Sequence, residues 1–126
     1  MSLILTSPLP EKGVAIPIYG TFTGHKAVPL WAFSHNSLSH KLRFFEAEVE
    51  LKVMKTHRRA WSDVESVDAR ILFKKPQLTL NFRDTPWNFT AVTVLERTLH
   101  ETLEFLDGKG LVLTPRARQL LESGAA

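Results

Sequence analysis

Phe45-Glu46-Ala47-Glu48-Val49-Glu50-Leu51-Lys52-Val53 is the most regular stretch of the chain. Phe45, Ala47, Val49, Leu51 and Val53 take alternate positions, and three glutamates and a lysine fill the others. A period of two sends successive side chains to opposite faces of a strand. The stretch therefore reads as a β-strand with one buried face and one face in water. Just upstream, Leu42 and Phe44 fall in the opposite phase, so two phenylalanines stand side by side at Phe44-Phe45. This phase change predicts a β-bulge that bends the strand, as a closing sheet requires.

The same period recurs downstream. Val67, Ala69, Ile71 and Phe73 form another alternating set, facing away from Asp68 and Arg70, and Lys74-Lys75-Pro76 ends that run. Leu78, Leu80 and Phe82 make the next strand, Arg83-Asp84-Thr85-Pro86 turns the chain, and Trp87, Phe89 and Ala91 continue as a hairpin partner. Short alternating strands at this spacing describe an antiparallel meander. Upstream, Ala27–Phe33 reads as an edge strand, because Pro29 has no N–H to give a ladder. Ser34, His35, Asn36 and Ser37 then form a turn. Residues 1–24 carry Pro8, Pro10, Pro17, Gly13, Gly20 and Gly24. They are expected to form an irregular N-terminal arm with one short strand at Val14–Tyr19.

After Ala91 the period changes. Leu95, Leu99, Leu103 and Leu106 recur at helical spacing with Phe105 beside them, which makes one apolar stripe. Thr93 and Glu96 fit a capping box, and Gly108 fits a left-handed C-terminal cap. Thr114-Pro115 starts a shorter helix whose apolar residues are Ala117, Leu120 and Leu121, with fraying from Ser123 onward. The fold class is α+β: a strongly curved antiparallel β-sheet, or partly open barrel, capped by a C-terminal amphipathic helix, plus a short final helix. The organisation is an arm at 1–24, a barrel with its capping helix at 25–113, and a short helix and tail at 114–126.

A chain of 126 residues has the size of one domain. With no cysteine it can hold no disulfide, thiolate zinc site or cysteine-ligated iron–sulfur cluster, which fits a reducing, cytoplasmic setting. The first residues lack a basic leader, and Pro8 and Pro10 interrupt them, so no signal peptide is expected. No apolar run approaches the roughly 18 residues of a membrane span. The formal net charge of +3 is a mild excess. Its distribution is more informative. Lys52, Lys55, His57, Arg58 and Arg59 surround one predicted turn, while Glu96, Glu101, Glu104 and Asp107 gather in the helix.

The residues offer no catalytic signature. Five histidines are present, but there is no His-Glu-x-x-His, and His35 and His40 stand five apart across a predicted turn. They read as polar turn residues, with His57 solvated and His100 bonded to the sheet, so no metal or cofactor is expected. No serine sits in a glycine-bounded elbow, and no glycine loop is built to cradle a phosphate. Asp63 and Glu65 lie on a segment read as exposed. The basic cluster of Lys52, Lys55, His57, Arg58 and Arg59 is the best candidate site, because gathered cations hold several phosphate oxygens at once. Trp61 beside it invites a base-stacking reading. The aromatics do not alternate with the basic residues, however, which argues against nucleic acid and places Trp61 and Trp87 in the core.

Arg59-Ala60-Trp61-Ser62-Asp63-Val64-Glu65-Ser66-Val67 resembles the segment that joins two strands in small bacterial pleckstrin-homology-like domains. Leu78–Phe82, Asp84 and Trp87–Phe89 are similar to the hairpin that follows there. Leu99–Gly110 resembles the helix that plugs the open end of that barrel. The resemblance spans roughly residues 40 to 112. It implies a PH-like barrel acting as a binding or assembly module, with a protein partner or a second copy of itself. In that superfold basic residues around the loop between early strands hold phosphoinositides, which implies an anionic ligand or membrane surface for Lys52, Lys55, His57, Arg58 and Arg59.

Overall fold

The computed structural model describes residues 5, 8–25, 34–36, 41–53 and 55–124. In order the chain forms β1 (Val14–Ala15), β2 (Ile18–His25), β3 (Ser34–Asn36), β4 (Lys41–Phe44), β5 (Glu48–Lys52), β6 (Thr56–Ala60), a 3-10 turn (Trp61–Asp63), β7 (Val64–Leu72), β8 (Lys75–Phe82), β9 (Trp87–Thr93), α1 (Glu96–Gly108) and α2 (Pro115–Gly124). The architecture is α+β, with two antiparallel sheets ordered β1-β4-β5-β6 and β3-β2-β9-β8-β7.

The run at Phe45–Val53 is not one strand. β4 and β5 pair antiparallel, with Phe44 opposite Val49 and Leu42 opposite Leu51. The Phe45 N–H donates to the Glu48 carbonyl at 2.8 Å and closes a tight turn over Glu46-Ala47. The expected bulge is therefore a chain reversal. Both devices shift the apolar phase by one residue, so the pattern alone is ambiguous between them. The reversal puts Leu42, Phe44, Val49 and Leu51 on one face, and all four are buried.

The two sheets share a corner at Ile16-Pro17. On one side of it β1 pairs with β4, and the Ile16 N–H extends that pairing to Leu42 O at 2.9 Å. On the other side β2 lies between β3 and β9. A second corner, Trp61–Asp63, carries the chain from β6 to β7. No ladder joins β6 to β7 among the described residues, so the sheets do not close into the expected barrel.

The expectation of an irregular arm gives way at β2. Residues 18–25 form an inner strand of eight residues that pairs with β9 from Ile18↔Thr93 to His25↔Trp87, with a register shift around Tyr19. Pro17 falls at the corner, before the strand starts, where its missing N–H costs no ladder bond. Gly20 and Gly24 are buried in the strand, where they read in sequence as breakers. Ser34–Asn36 is strand β3 rather than a turn, because β2 offers it an edge. The strand predicted at Ala27–Phe33 lies outside the described residues.

Helix α1 buries Leu99, Leu103, Phe105 and Leu106 against the core, as its stripe predicts, while Leu95 stays outside at the N-cap. The predicted capping box is absent. Thr93 is still paired in β9, and its hydroxyl donates to Leu95 O at 3.0 Å instead of capping the helix. At the other end the left-handed residue is Gly110 (φ +86°), not Gly108. Its neighbour Leu111 donates back to Leu106 O at 3.2 Å, the six-to-one bond of a Schellman motif. Thr114 caps α2 as expected, accepting the Ala117 N–H at 3.2 Å. The linker before α2 lies along the β7 edge, with Val67 bonded to Val112 and Thr114. His100 pairs with Leu120 O of α2 at 2.8 Å, rather than with the sheet.

Trp61 sits where both sheets and α1 meet. Its ring packs edge-on to Phe44 of β4 at 5.0 Å and against Phe105 of α1 at 6.4 Å, and Phe44 stacks on Phe105 at 5.8 Å. Its indole N–H donates to Phe45 O at 2.8 Å. Trp61→Phe keeps most of the packing and loses one buried hydrogen bond, a loss of about 1 kcal/mol. Trp61→Ala opens a cavity and should cost about 3–5 kcal/mol. Urea unfolding followed by circular dichroism separates the two. Equal losses for both variants would contradict this division between bond and packing.

Candidate functional site

The basic segment predicted as a turn is mostly strand. Thr56–Ala60 forms β6, antiparallel to β5, with Glu50 opposite Arg58 and Leu51 opposite His57. Alternation then divides the five cations between two faces. Lys52 and Arg58 share the outer face with Glu48 and Glu50. Lys55, His57 and Arg59 line a cleft on the other side. The structure thus brings three of the five together.

On the outer face, Arg58 donates to Glu50 Oε2 at 3.0 Å and to Glu48 Oε1 at 2.9 Å, with its guanidinium 4.4 Å over the Phe45 ring. Glu50 is only 8% exposed and also faces Lys41 Nζ at 3.4 Å. The Arg58 hydrogen bond outweighs burial and holds the Glu50 carboxyl below its ordinary value. On the cleft side, Arg59 donates to Asp84 Oδ1 at 2.6 Å, lies 3.6 Å from Asp63 Oδ2, and covers the Phe82 ring at 4.5 Å. Both arginines are therefore matched by carboxylates. Lys55 and His57 are exposed.

The cleft has a volume of about 280 Å³ and opens between the two sheets. Leu51, Val53, Phe82 and Phe89 form its apolar floor, and Trp87 stands at its wall. Trp87 was expected in the core, yet it is 44% exposed. It pairs with His25 at the very end of the β2–β9 ladder, where the core gives out. Pro86 immediately before it was the signal that the strand was only starting there.

β6 is also a lateral edge of its sheet. The Trp61 N–H donates to Ala47 O at 3.1 Å, in register with the β5–β6 ladder. Backbone groups alternate in direction along an antiparallel strand. Odd-numbered His57 and Arg59 thus point their N–H and C=O towards β5, and Thr56, Arg58 and Ala60 point theirs away. Among the described residues no strand takes up these outward groups.

A second hollow, about 180 Å³ and polar, lies on the outer face of the five-stranded sheet. Asn88 donates to Asn81 Oδ1 and Asn81 to Ser66 Oγ, each at 3.1 Å. At its side Asp68 accepts from the Ala69 N–H at 2.9 Å, from Thr114 Oγ1 at 2.7 Å and from both Nε and Nη2 of Arg116. This carboxylate clasps α2 to β7. Burial opposes its ionisation, but the bonds from Arg116 and Thr114 prevail and lower its pKa. Among the described residues no three His, Asp or Glu side chains gather to hold a metal. The His25 and His35 side chains and all of His40 lie outside what is described. No helix of the described residues is long and apolar enough to cross a membrane.

No protein-family model and no curated protein sequence matches the chain.

Glu50 and Asp68 both have folded-state pKa values below the ordinary 4.5 and 3.8. Their stabilisation is complete above those ordinary values and is lost as pH falls through the lowered folded ones. Urea midpoints should therefore drop from about pH 5 to pH 3. Asp68→Asn should cost about 1–3 kcal/mol at neutral pH and flatten that acid dependence. An undiminished acid slope in Asp68→Asn would remove Asp68 from this account.

Proposed function

We propose that this chain is a non-catalytic binding module of PH-like type, and that it captures an extended, acidic segment of a protein partner at β6. The observation that carries this reading is one juxtaposition. A sheet edge with outward N–H and C=O groups runs beside an apolar cleft rimmed by Lys55, His57 and Arg59. A strand added to such an edge gains main-chain hydrogen bonds, and an adjacent pocket selects its side chains. The apolar floor suits one bulky aliphatic or aromatic anchor, and the rim cations favour Asp or Glu beside it.

PH-like kinship is supported by chain order. β1 pairs with β4 and β2 with β3, on the two sides of the corner. β5 and β6 complete the first sheet, β7 to β9 form a meander in the second, and α1 follows. Anionic-ligand binding by Lys52, Lys55, His57, Arg58 and Arg59 is the second reading. The cleft-side grouping of Lys55, His57 and Arg59 favours it, and the carboxylates on Arg58 and Arg59 weaken it.

Ala60 provides a clean test. Its φ of −65° already matches proline, and its N–H faces away from β5. Ala60→Pro should leave the melting temperature within a few degrees and remove one edge donor. Peptides selected by display on the full chain should carry a bulky apolar residue flanked by acids. Their affinity, read by Trp87 fluorescence, should fall roughly fivefold or more in Ala60→Pro, the loss of about one hydrogen bond. Unchanged affinity in a folded Ala60→Pro would exclude edge pairing. Capture of inorganic phosphate or polyphosphate without peptide selection would favour the second reading.

A further inference from the structure

A different surface lies at the far end of the five-stranded sheet. The β7–β8 hairpin closes at Leu72↔Lys75, so its loop is Phe73-Lys74. Both loop residues have positive φ, +51° and +64°. That is the geometry of a type I′ turn, which favours Asn-Gly and strains a phenylalanine. The strained Phe73 is 87% exposed, with Lys74 and Lys75 exposed beside it. An aromatic ring held in water on a disfavoured backbone gains nothing for the fold.

Register gathers further apolar groups at this end. Ile71 precedes the turn and is 39% exposed. Tyr19 lies at the register shift between Ile18↔Thr93 and Gly20↔Val92, and Val92 is level with Gln77 near the start of β8. Leu95 follows Thr93 at the N-cap of α1. Tyr19 and Leu95 are 62% and 48% exposed. Four large apolar side chains thus rim one end of one sheet, together with Lys74, Lys75 and the exposed Arg97, opposed by Glu96. β8 separates this rim from the cleft by about 25 Å.

We propose that this rim is a membrane-docking tip: Phe73 inserts at the headgroup level of an anionic lipid surface, and Lys74 and Lys75 hold its phosphates. The shape and charge select this occupant. A two-residue turn is convex, so its ring enters a soft interface more readily than it fits a preformed pocket. Aromatic and aliphatic side chains interleaved with lysines match the layering of that interface, with the rings at the headgroups and the ammonium groups at phosphate. Anionic headgroups attract each nearby lysine. The tip acts apart from the β6 cleft and stands whether or not the cleft binds a peptide.

The test is co-sedimentation of the full chain with mixed phosphatidylcholine–phosphatidylglycerol vesicles and with phosphatidylcholine alone, at low and physiological salt. Wild type should bind the anionic vesicles, more weakly as salt rises. Phe73→Asn separates binding from folding, because asparagine suits this turn: the variant should melt at or above the wild-type temperature and lose roughly tenfold in affinity. Lys74→Glu/Lys75→Glu should lose at least fivefold per lysine, whereas Arg83→Glu, at an exposed position beyond the far end of β8, should leave binding unchanged. Phe73→Trp should show a blue-shifted emission with anionic vesicles only. Absence of wild-type binding at low salt overturns the proposal. So does a folded Phe73→Asn that binds as wild type, or binding that is lost in Arg83→Glu and kept in the Lys74/Lys75 reversal.

Discussion

Trp61 joins everything else. It stands at the corner where β6 hands the chain to β7, touches Phe44 of one sheet and Phe105 of the helix, and anchors its indole N–H on the Phe45 carbonyl. Two sheets that do not close into a barrel leave core open along their gap. The aromatic trio and the leucines of α1 cover that gap. Aromatic pairs prefer edge-on and offset-stacked packing, so these contacts also set the direction from which α1 approaches. Asp68 works in parallel on the opposite edge, fixing the start of α2 against β7 and occupying the Ala69 N–H that would otherwise face a neighbouring chain. The β7 edge is thus protected, by Asp68 and by the Val112–Thr114 segment, while among the described residues the β6 edge is not. That asymmetry is the physical basis for assigning recognition to β6.

Charge pairing shapes the surface as much as the core shapes the fold. Glu48, Glu50, Arg58 and Lys41 form a ladder across three strands, in which cross-strand neighbours neutralise one another. What looks like a basic cluster in sequence is a mixed-charge sheet face on one side and a lightly basic cleft on the other. Two apolar features lie elsewhere: a cleft with a half-exposed tryptophan at its wall, and a strained hairpin with an exposed phenylalanine. A folded protein retains exposed aromatics on strained or terminal backbone at some cost, and both positions lie at sheet ends where the core does not need them.

Much of the architecture was legible in the residues. The alternating runs placed β5, β7, β8 and β9, the leucine stripe placed α1, and Thr114-Pro115 placed the start of α2, because periodicity and capping are local properties that tertiary packing preserved here. Trp61 was rightly assigned to the core. The failures share one cause. A phase change at Phe44-Phe45 is compatible with a bulge or a reversal, and only the partner strand decides between them. Gly20 and Gly24 signal flexibility locally, yet β2 is held between two partners that are distant in sequence. Thr93 and Glu96 have capping-box spacing, but the β9 ladder claims Thr93 first. For the site, the five cations were visible as a group, while their division between two faces depended on where β6 began.

The sequence by itself determined the alternation that makes this an α+β chain, the helix and its buried face, and the exclusion of every cysteine-based site, because each follows from side-chain identity and local period. Only the tertiary structure decided which strand edge stays open, which cations are neutralised and which aromatics face water. Those outcomes depend on pairings between residues tens of positions apart, whose energies are set by register and burial rather than by any local pattern.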